Sequence, residues 1–134
     1  MTGPAEVVKQ FCALMAKRDP EALRPLLADD AIYQNVGMPA QVGVDAIVAD
    51  LSGQFAMFPD TYEYEMKNMA VDGDVVLTER LDYIGTKDDP KALPVMGTFV
   101  VRNAKIVRWH DYWDSGLIAK MLTGDDISSL VPAS

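Results

Sequence analysis

The order of elements along the chain predicts an α+β protein, with a curved, mixed but mostly antiparallel sheet and amino-terminal helices packed on its concave face. Three observations carry this prediction. Apolar residues recur at helical spacing over much of the first 58 residues, the period then changes to alternation, and four strand-like stretches follow one another. Sequential strands with tight connections pair in antiparallel fashion. Such a sheet encloses a pocket between its concave face and the helices.

Three helical segments precede the long strands. Pro4 opens the first, predicted over residues 4–17, and Asp19 caps a short second helix that begins at Pro20. That short helix is expected to run to Leu27. The third is predicted over residues 43–58, and Pro59 ends it. A short strand over residues 31–35 and a break at residues 37–40, a plausible pocket rim, separate the second helix from the third.

Strands occupy most of the second half of the chain. Alternating residues from Tyr62 to Lys67 predict a half-buried strand, and Asp72-Gly73 is a strong hairpin turn. The remaining elements follow from turn residues and alternation: strands over residues 75–84, 93–102 and 105–113, a polar connection over 86–90, a turn at 103–104, and a final helix over 116–122 capped by Asp114 or Ser115.

Length and composition indicate one domain over residues 1–134. The chain is 49% hydrophobic, without internal repeats or a linker, and is large enough to form its own core. A net charge of −8 disfavours nucleic acid and anionic membranes as partners. No segment approaches the roughly 20 apolar residues that cross a membrane. The first residues, MTGPAE, do not resemble a secretory signal, so we expect a cytoplasmic protein.

Cysteine and histidine are too few for several common kinds of site. Cys12 is the only cysteine and lies in an apolar helical pattern, which favours a buried small hydrophobe. His110 is the only histidine, which excludes a multi-histidine metal site, and no Cys/His spacing is typical of zinc. A metal site would therefore depend on carboxylates alone.

The last predicted strand places a carboxylate among aromatic residues. Strict alternation over residues 105–113 puts Asp111 on one face with Val107, Trp109 and Trp113, and puts His110 on the other face with Ile106, Arg108 and Tyr112. A buried carboxylate needs hydrogen-bond donors, a cation or a proton. Asp111 is therefore a candidate functional residue whose partners lie elsewhere in the chain.

Arg80 and Asp82 are the candidate partners. Two residues apart on one strand, they point the same way about 7 Å apart. A solvent-facing ion pair is the alternative, but their face otherwise carries Val76, Thr78 and Ile84, which favours a pocket wall. If both strands line one concavity, Arg80 can lie between Asp82 and Asp111. Tyr33 and Asn35 share a face of the short strand and could hydrogen-bond a water held by Asp111.

Four segments together resemble the limonene-1,2-epoxide hydrolase family, over roughly residues 5–117. They are 33–35 (YQN) with Met38-Pro39 and Gly43 after it, 78–82 (TERLD), 94–99 (PVMGTF) and 106–114 (IVRWHDYWD). Each segment alone is short, but their combined spacing is specific. The resemblance implies the cone-shaped α+β fold of the nuclear-transport-factor-like superfamily, usually as a homodimer.

The resemblance also implies roles for the candidate residues. Asp111 would be the general base on a water that Tyr33 and Asn35 also hold. Asp82 would be the general acid that protonates the epoxide oxygen, and Arg80 would bridge the two carboxyl groups. The substrate would be a small hydrophobic epoxide, opened by water to a vicinal diol without metal, cofactor or covalent intermediate.

Two positions depart from the family pattern. His110 stands where arginine is common and is interpreted as structural or interfacial, since it points away from Asp111. Trp113 stands where phenylalanine is common and is expected to narrow the pocket. The predicted substrate-binding residues are the aromatic wall and an adaptable set of methionines: Trp109, Trp113, Met38, Met66 and Met96.

Two other kinds of function remain open for such a fold. A polyketide-cyclase-like or ketosteroid-isomerase-like enzyme would use Asp111 or Asp82 to remove a proton from carbon. That reaction needs no held water, so the Tyr33 and Asn35 pair argues against it. A non-catalytic binding or dimerisation module would not depend on Asp111 for any measurable activity.

Overall fold

The computed structural model describes residues 3–58, 63–85 and 88–132. Its helices are α1 (Pro4–Met15), α2 (Pro20–Leu23), α3 (Val44–Met57) and α4 (Ser115–Leu122), with 3₁₀ turns at Arg24–Leu26 and Ser128–Leu130. Its strands are β1 (Leu27–Asn35), β2 (Gln41–Val42), β3 (Glu63–Asp72), β4 (Val75–Gly85), β5 (Pro90–Arg102) and β6 (Lys105–Tyr112). The strands form one curved, open sheet in the order β2-β1-β6-β5-β4-β3.

The predicted α+β class is confirmed. Strands β3 to β6 pair with their sequence neighbours in antiparallel fashion, while β1 returns to lie parallel to β6, which makes the sheet mixed. Helix α1 packs across β3 to β6, and α3 packs on β1. The helices therefore cover one face of the sheet, as the prediction required.

Strand β1 is longer than predicted and begins where a helix was expected. The short helix ends at Leu23, Pro25 lies in a 3₁₀ turn, and Leu27 is already extended with φ −107° and ψ 136°. The prediction that the helix continues to Leu27 is wrong because proline removes a backbone donor and the tighter turn redirects the chain. The two-residue strand β2 was not predicted at all.

Strand β6 contains an irregularity that alternation alone did not reveal. Ile106 pairs with Val101 and Arg108 pairs with Val100, so Val107 is an extra residue in the ladder. Such a bulge shifts the side-chain alternation by one residue. Ile106 therefore lies in the same buried core as Trp109, and the prediction that Val107 shares that face is wrong. Beyond the bulge, Asp111 faces inward with Trp109 as predicted.

The start of β5 differs from the prediction, and the cap of α4 is one of the two predicted residues. Strand β5 begins at Pro90 rather than at residue 93, and Asp114 caps α4 by accepting a hydrogen bond from Gly116 N at 2.8 Å. Four residues with predicted roles lie outside the described residues: Pro59, Tyr62, Thr86 and Lys87.

Aromatic rings form the centre of the core beneath the site. The Trp109 ring stacks on Tyr33 with centroids 3.9 Å apart and on Phe99 with centroids 5.7 Å apart. The rings of Trp109 and Phe11 of α1 are arranged edge-to-face, with centroids 4.9 Å apart. Cys12 is buried beside these rings, and desolvation raises the pKa of its thiol to about 12. The thiol is therefore neutral at physiological pH, which agrees with its interpretation as a small buried hydrophobe.

Candidate active site

The candidate site is organised around the guanidinium of Arg80, which is fully buried. Its Nε and Nη2 donate to the two carboxylate oxygens of Asp82, each at 3.0 Å. Its Nη1 and Nη2 donate to Asp111 Oδ1 and Oδ2 at 3.2 and 3.0 Å, and Nη1 also donates to Thr78 Oγ1 at 3.1 Å. All five N–H groups are thus used, so the guanidinium is fixed between the two carboxyl groups.

Three neighbouring strands make this arrangement possible. Thr78 of β4 and Asp111 of β6 both pair with Gly97 on the strand between them. A Cβ at Gly97 would lie 2.6 Å from Asp111 Oδ1 and 2.9 Å from Thr78 Oγ1, and would also clash with Arg80 Nη1. The missing side chain leaves the space through which Arg80 reaches across β5 to Asp111.

Burial and neighbouring charges shift the protonation of Asp82 and Arg80. Burial and, to a smaller extent, the nearby Asp111 raise the pKa of Asp82, Arg80 lowers it, and the net pKa is about 6. Burial opposes the charge on Arg80, but Asp111 and Asp82 together raise its pKa well above the usual value. A permanent cation beside a carboxyl group that titrates near neutrality is a typical setting for acid–base chemistry.

Asp111 receives a further donor from its own strand. Trp109 Nε1 donates to Asp111 Oδ1 at 2.8 Å, which satisfies an indole that is otherwise wholly buried. Oδ1 thus accepts two hydrogen bonds, whereas Oδ2 accepts one, from Arg80. Oδ2 therefore keeps a lone pair for a further donor.

Tyr33 and Asn35 of β1 lie beside Asp111, as predicted. Asn35 pairs with Asp111 across the parallel β1–β6 ladder, and Tyr33 pairs with Trp109. Asn35 Nδ2 donates to the Tyr33 hydroxyl oxygen at 3.0 Å, and Trp113 Nε1 donates to Asn35 Oδ1 at 2.9 Å. The five residues predicted as catalytic thus lie together in one site.

Helix α3 contributes two polar residues that the sequence did not single out. Gln54 Nε2 donates to the Tyr33 hydroxyl oxygen at 3.0 Å and to Asp50 Oδ2 at 2.8 Å. The available signal was their i, i+4 spacing on the helix. Tyr64 of β3 was also missed as a site residue, and its ring lies 4.6 Å from the Arg80 guanidinium carbon.

A cavity of about 530 Å³ opens over these groups. Its polar lining residues are Tyr33, Asn35, Asp50, Gln54, Tyr64, Asp82 and Asp111. The rest of the lining is largely apolar and comes from α3, α4 and the inner face of the sheet, for example Met57, Phe58, Ile84, Leu93, Val95 and Ile118. The site is thus an apolar cavity with carboxyl groups in its lining, which suits a small, largely hydrophobic molecule.

The predicted substrate-binding residues are only partly placed at this cavity. Met38 and Trp113 line it. Trp109 lies in the core beneath Tyr33, and Met66 is half-buried against the core. Met96 is 53% exposed on the other face of the sheet, because it pairs with Glu79 whereas Val95 pairs with the inward-facing Arg80. The prediction that Trp109, Met66 and Met96 line the cavity is not supported by these positions.

Over residues 3–58, 63–85 and 88–132, no three His, Cys, Asp or Glu side chains are grouped so that they could hold a metal ion. None of the helices in that part of the chain is long and apolar enough to cross a membrane.

The fold and site define a cone-shaped α+β protein of the nuclear-transport-factor-like type. The chain belongs to the SnoaL-like domain family, which matches residues 8–109.

A sequence relative and a solved structure, both from M. tuberculosis, carry the name of one enzyme class. Epoxide hydrolase EphG of Mycobacterium tuberculosis is 26% identical over 129 residues, a match that covers 94% of this chain and 83% of that protein. The structure of an M. tuberculosis LEH-like epoxide hydrolase has a TM-score of 0.77 and 27% identity, covering 97% of this chain and 96% of the other. These matches confirm the resemblance predicted from the sequence.

A protein named as a different class of enzyme has the same fold. A candidate SnoaL-like polyketide cyclase from Jannaschia sp. CCS1 has a TM-score of 0.79 at 13% identity, covering 92% of this chain and 93% of the other. At that identity the match shows the shared fold alone, so the activity must be argued from the site.

Proposed function

We propose that this protein is an epoxide hydrolase that adds water to a hydrophobic epoxide in one step and releases a vicinal diol without a cofactor. The observation that carries the proposal is a pair of carboxyl groups, Asp82 and Asp111, bridged by buried Arg80 at the wall of an apolar cavity. Opening an epoxide requires an attack on carbon and a proton for the departing oxygen, and two carboxyl groups in different protonation states can supply both.

Asp82 is the general acid in this proposal. Its raised pKa keeps a proton on the group to a pH near 6, well above the range of an exposed aspartate. Each of its oxygens accepts one N–H from Arg80 and retains a lone pair that can carry the proton. Asp82 lines the cavity, so this proton can pass to the epoxide oxygen as the carbon–oxygen bond breaks.

Asp111 is the general base, and Oδ2 is the atom that takes the proton. Oδ1 is occupied by Arg80 and Trp109, whereas Oδ2 keeps a lone pair. A water beside Oδ2 can also donate to Asn35 Oδ1, which lies on the adjacent strand. The water oxygen then bonds to carbon while its proton moves to Asp111. A proton must return from Asp111 to Asp82 before the next turnover.

The supporting comparisons are the sequence relative and the solved structure that are named as epoxide hydrolases. Removal of a proton from carbon, the alternative chemistry in this fold, needs one base. It would leave unexplained why two carboxyl groups share one guanidinium beside Tyr33 and Asn35.

The test is hydrolysis of cyclohexene oxide, styrene oxide and related epoxides in heavy-oxygen water. In a single turnover, the label is expected directly in the diol. Asp111→Asn is expected to lower kcat by at least about 10²–10⁴-fold, because the water loses its base. Asp30→Asn, at an exposed aspartate of β1, is the matched control and is expected to leave kcat unchanged.

Three results would count against the proposal. Label in a protein carboxyl group would replace one-step hydrolysis with a covalent intermediate. Normal turnover by Asp111→Asn would remove Asp111 as the base. If no epoxide of a broad panel is opened, the function itself is wrong, and exchange of carbon-bound hydrogen in deuterium oxide would then favour the carbon-acid alternative.

The proposal includes a homodimer. The face of the sheet opposite the helices carries three exposed apolar side chains on neighbouring strands: Leu77 of β4, Met96 of β5 and Tyr112 of β6. Their exposed fractions are 47%, 53% and 51%. A second copy of the chain that packs on this face would remove them from water.

A further inference from the structure

A chain of hydrogen bonds connects both sides of the cavity through the Tyr33 hydroxyl. On one side, Trp113, the residue after β6, is joined to Asn35 and Asn35 to Tyr33. On the other side, Tyr33 is joined to Gln54 of α3, and Gln54 to Asp50 of the same helix. The successive distances are 2.9, 3.0, 3.0 and 2.8 Å. The proposed mechanism gives a role to Asn35 but none to Tyr33 or to the two residues of α3.

The direction of each bond on the β6 side follows from its donor. The indole Nε1 of Trp113 can only donate, so the Asn35 atom that it meets must be the carbonyl oxygen. The amide nitrogen of Asn35 is then the atom that faces Tyr33, and it donates to the hydroxyl oxygen. Trp113 thus sets the orientation of the Asn35 amide.

On the α3 side, the orientation of the Gln54 amide likewise follows from its hydrogen-bond partners. Asp50 Oδ2 accepts one N–H of Gln54, four residues later on the same helical face, and the same nitrogen donates its other N–H to Tyr33. The carboxylate therefore holds the Gln54 amide with its nitrogen toward Tyr33.

Tyr33 consequently accepts two hydrogen bonds, one from each side. A phenolic oxygen has two lone pairs and one hydrogen, so the hydrogen of Tyr33 remains for a third partner. In the described part of the chain, no hydrogen bond has the Tyr33 hydroxyl as its donor. The side chain is 2% exposed and lines the cavity together with Asp111, so a molecule in the cavity is the available acceptor.

We propose that Gln54, held by Asp50, is a positioning residue that makes the Tyr33 hydroxyl a donor to the water beside Asp111. The inference rests on the proposed function for the identity of that molecule. A water that accepts from Tyr33 and donates to Asp111 Oδ2 and Asn35 Oδ1 has one lone pair left, and that pair attacks carbon. If Tyr33 instead accepted a hydrogen bond from the water, it would compete with the base for a proton.

The kinetic test compares Gln54→Met and Gln54→Glu with the wild type on cyclohexene oxide. Both variants are expected to lower kcat by about 10- to 100-fold with little change in KM, because the water is held but misoriented. Gln54→Glu replaces the amide donor by a carboxylate that accepts from Tyr33. Asp50→Asn is expected to lower kcat, and Asp50→Glu to restore most of it. Gln10→Met, at an exposed glutamine of α1, is the control.

A double-variant comparison separates positioning from a general structural effect. In a Tyr33→Phe background, Gln54→Met is expected to cause no further loss, because Gln54 acts through the missing hydroxyl. Independent, multiplying losses would overturn the inference, as would unchanged kcat in both Gln54 variants of the active enzyme.

Neutron diffraction of the deuterated wild-type protein tests the inference without any catalysis. The deuterium on the Tyr33 oxygen is expected to point into the cavity, with deuterium atoms of Asn35 and Gln54 pointing at that oxygen. A Tyr33 deuterium directed at Asn35 or Gln54 would overturn the inference, even if epoxides are hydrolysed. A protein that opens no epoxide but shows the expected deuterium would retain the donor role of Tyr33 and lose the proposed function.

Discussion

The protonation of Asp82 makes the proposed reaction sensitive to pH. Its carboxyl group is buried and has a pKa of about 6, so a growing fraction loses its proton above that value. The acid is needed in its protonated form, so activity is present below this pKa and lost above it. We expect kcat/KM to fall by about tenfold per pH unit on the alkaline side.

The measurement is kcat/KM for a neutral epoxide from about pH 5 to about pH 9, with buffers that do not open the epoxide themselves. Asp82→Asn is expected to lose most of the activity and, with it, the decline that begins near pH 6. A wild-type profile that stays flat over this range would show that the proton for the epoxide oxygen comes from elsewhere.

At the level of elements, the site depends on β5 as the strand between the two carboxyl-bearing strands. Gly97→Ala would place a methyl group against Asp111 Oδ1, Thr78 Oγ1 and Arg80 Nη1. We expect kcat/KM to fall by about 10²-fold, since the bridge must shift, and overpacking to lower the free energy of unfolding by about 1–3 kcal/mol.

The checks for this strand are enzyme kinetics and denaturant unfolding. Gly3→Ala is the control for the kinetics, because nothing lies within 4 Å of a Cβ at that glycine, and kcat/KM is expected to stay at its wild-type value. Full activity in Gly97→Ala would contradict the tight contact between β5 and the Arg80 bridge.

Alternation along single strands predicted much of the site. It placed Arg80 and Asp82 on one face of β4 and put Asp111 on the inner face of β6, because the pairing of each stretch with β5 is regular where those residues lie. It failed at Val107, because a bulge depends on the pairing with β5, which is set by the three-dimensional fold.

Other features depended on packing between elements. The inward face of β5 follows only from its pairing with β4, so Met96 was assigned to the wrong side. The contact of Gln54 with Tyr33 depends on how α3 lies on β1, which no local pattern encodes. The residues alone suggested that Tyr33 and Asn35 share a face and could hydrogen-bond a water held by Asp111, whereas the family resemblance made that water the nucleophile of a specific reaction.

Across the whole molecule, the cavity lies between two apolar clusters. The larger cluster lies under the helices, and a smaller one joins β5 to α4 and the segment after it through Leu93, Val95, Leu117 and Ile127. Leu93 and Val95 belong to the smaller cluster and also line the cavity. The carboxyl-terminal part of the chain therefore supports one wall of the proposed substrate site.

The opposite face of the sheet is where the proposed dimer can be tested. Two chains that each carry a charge of −8 repel one another, so association must come from buried apolar surface.

Met96→Asp adds a carboxylate at the centre of the exposed set formed with Leu77 and Tyr112. It is expected to shift the mass measured by light scattering during size exclusion from two chains to one, because burying an unpaired charge is costly. Leu122→Asp, which changes an exposed leucine of α4 away from this face, is expected to remain dimeric. A monomeric wild type, or a Met96→Asp variant that stays dimeric, would show that this face is not the interface.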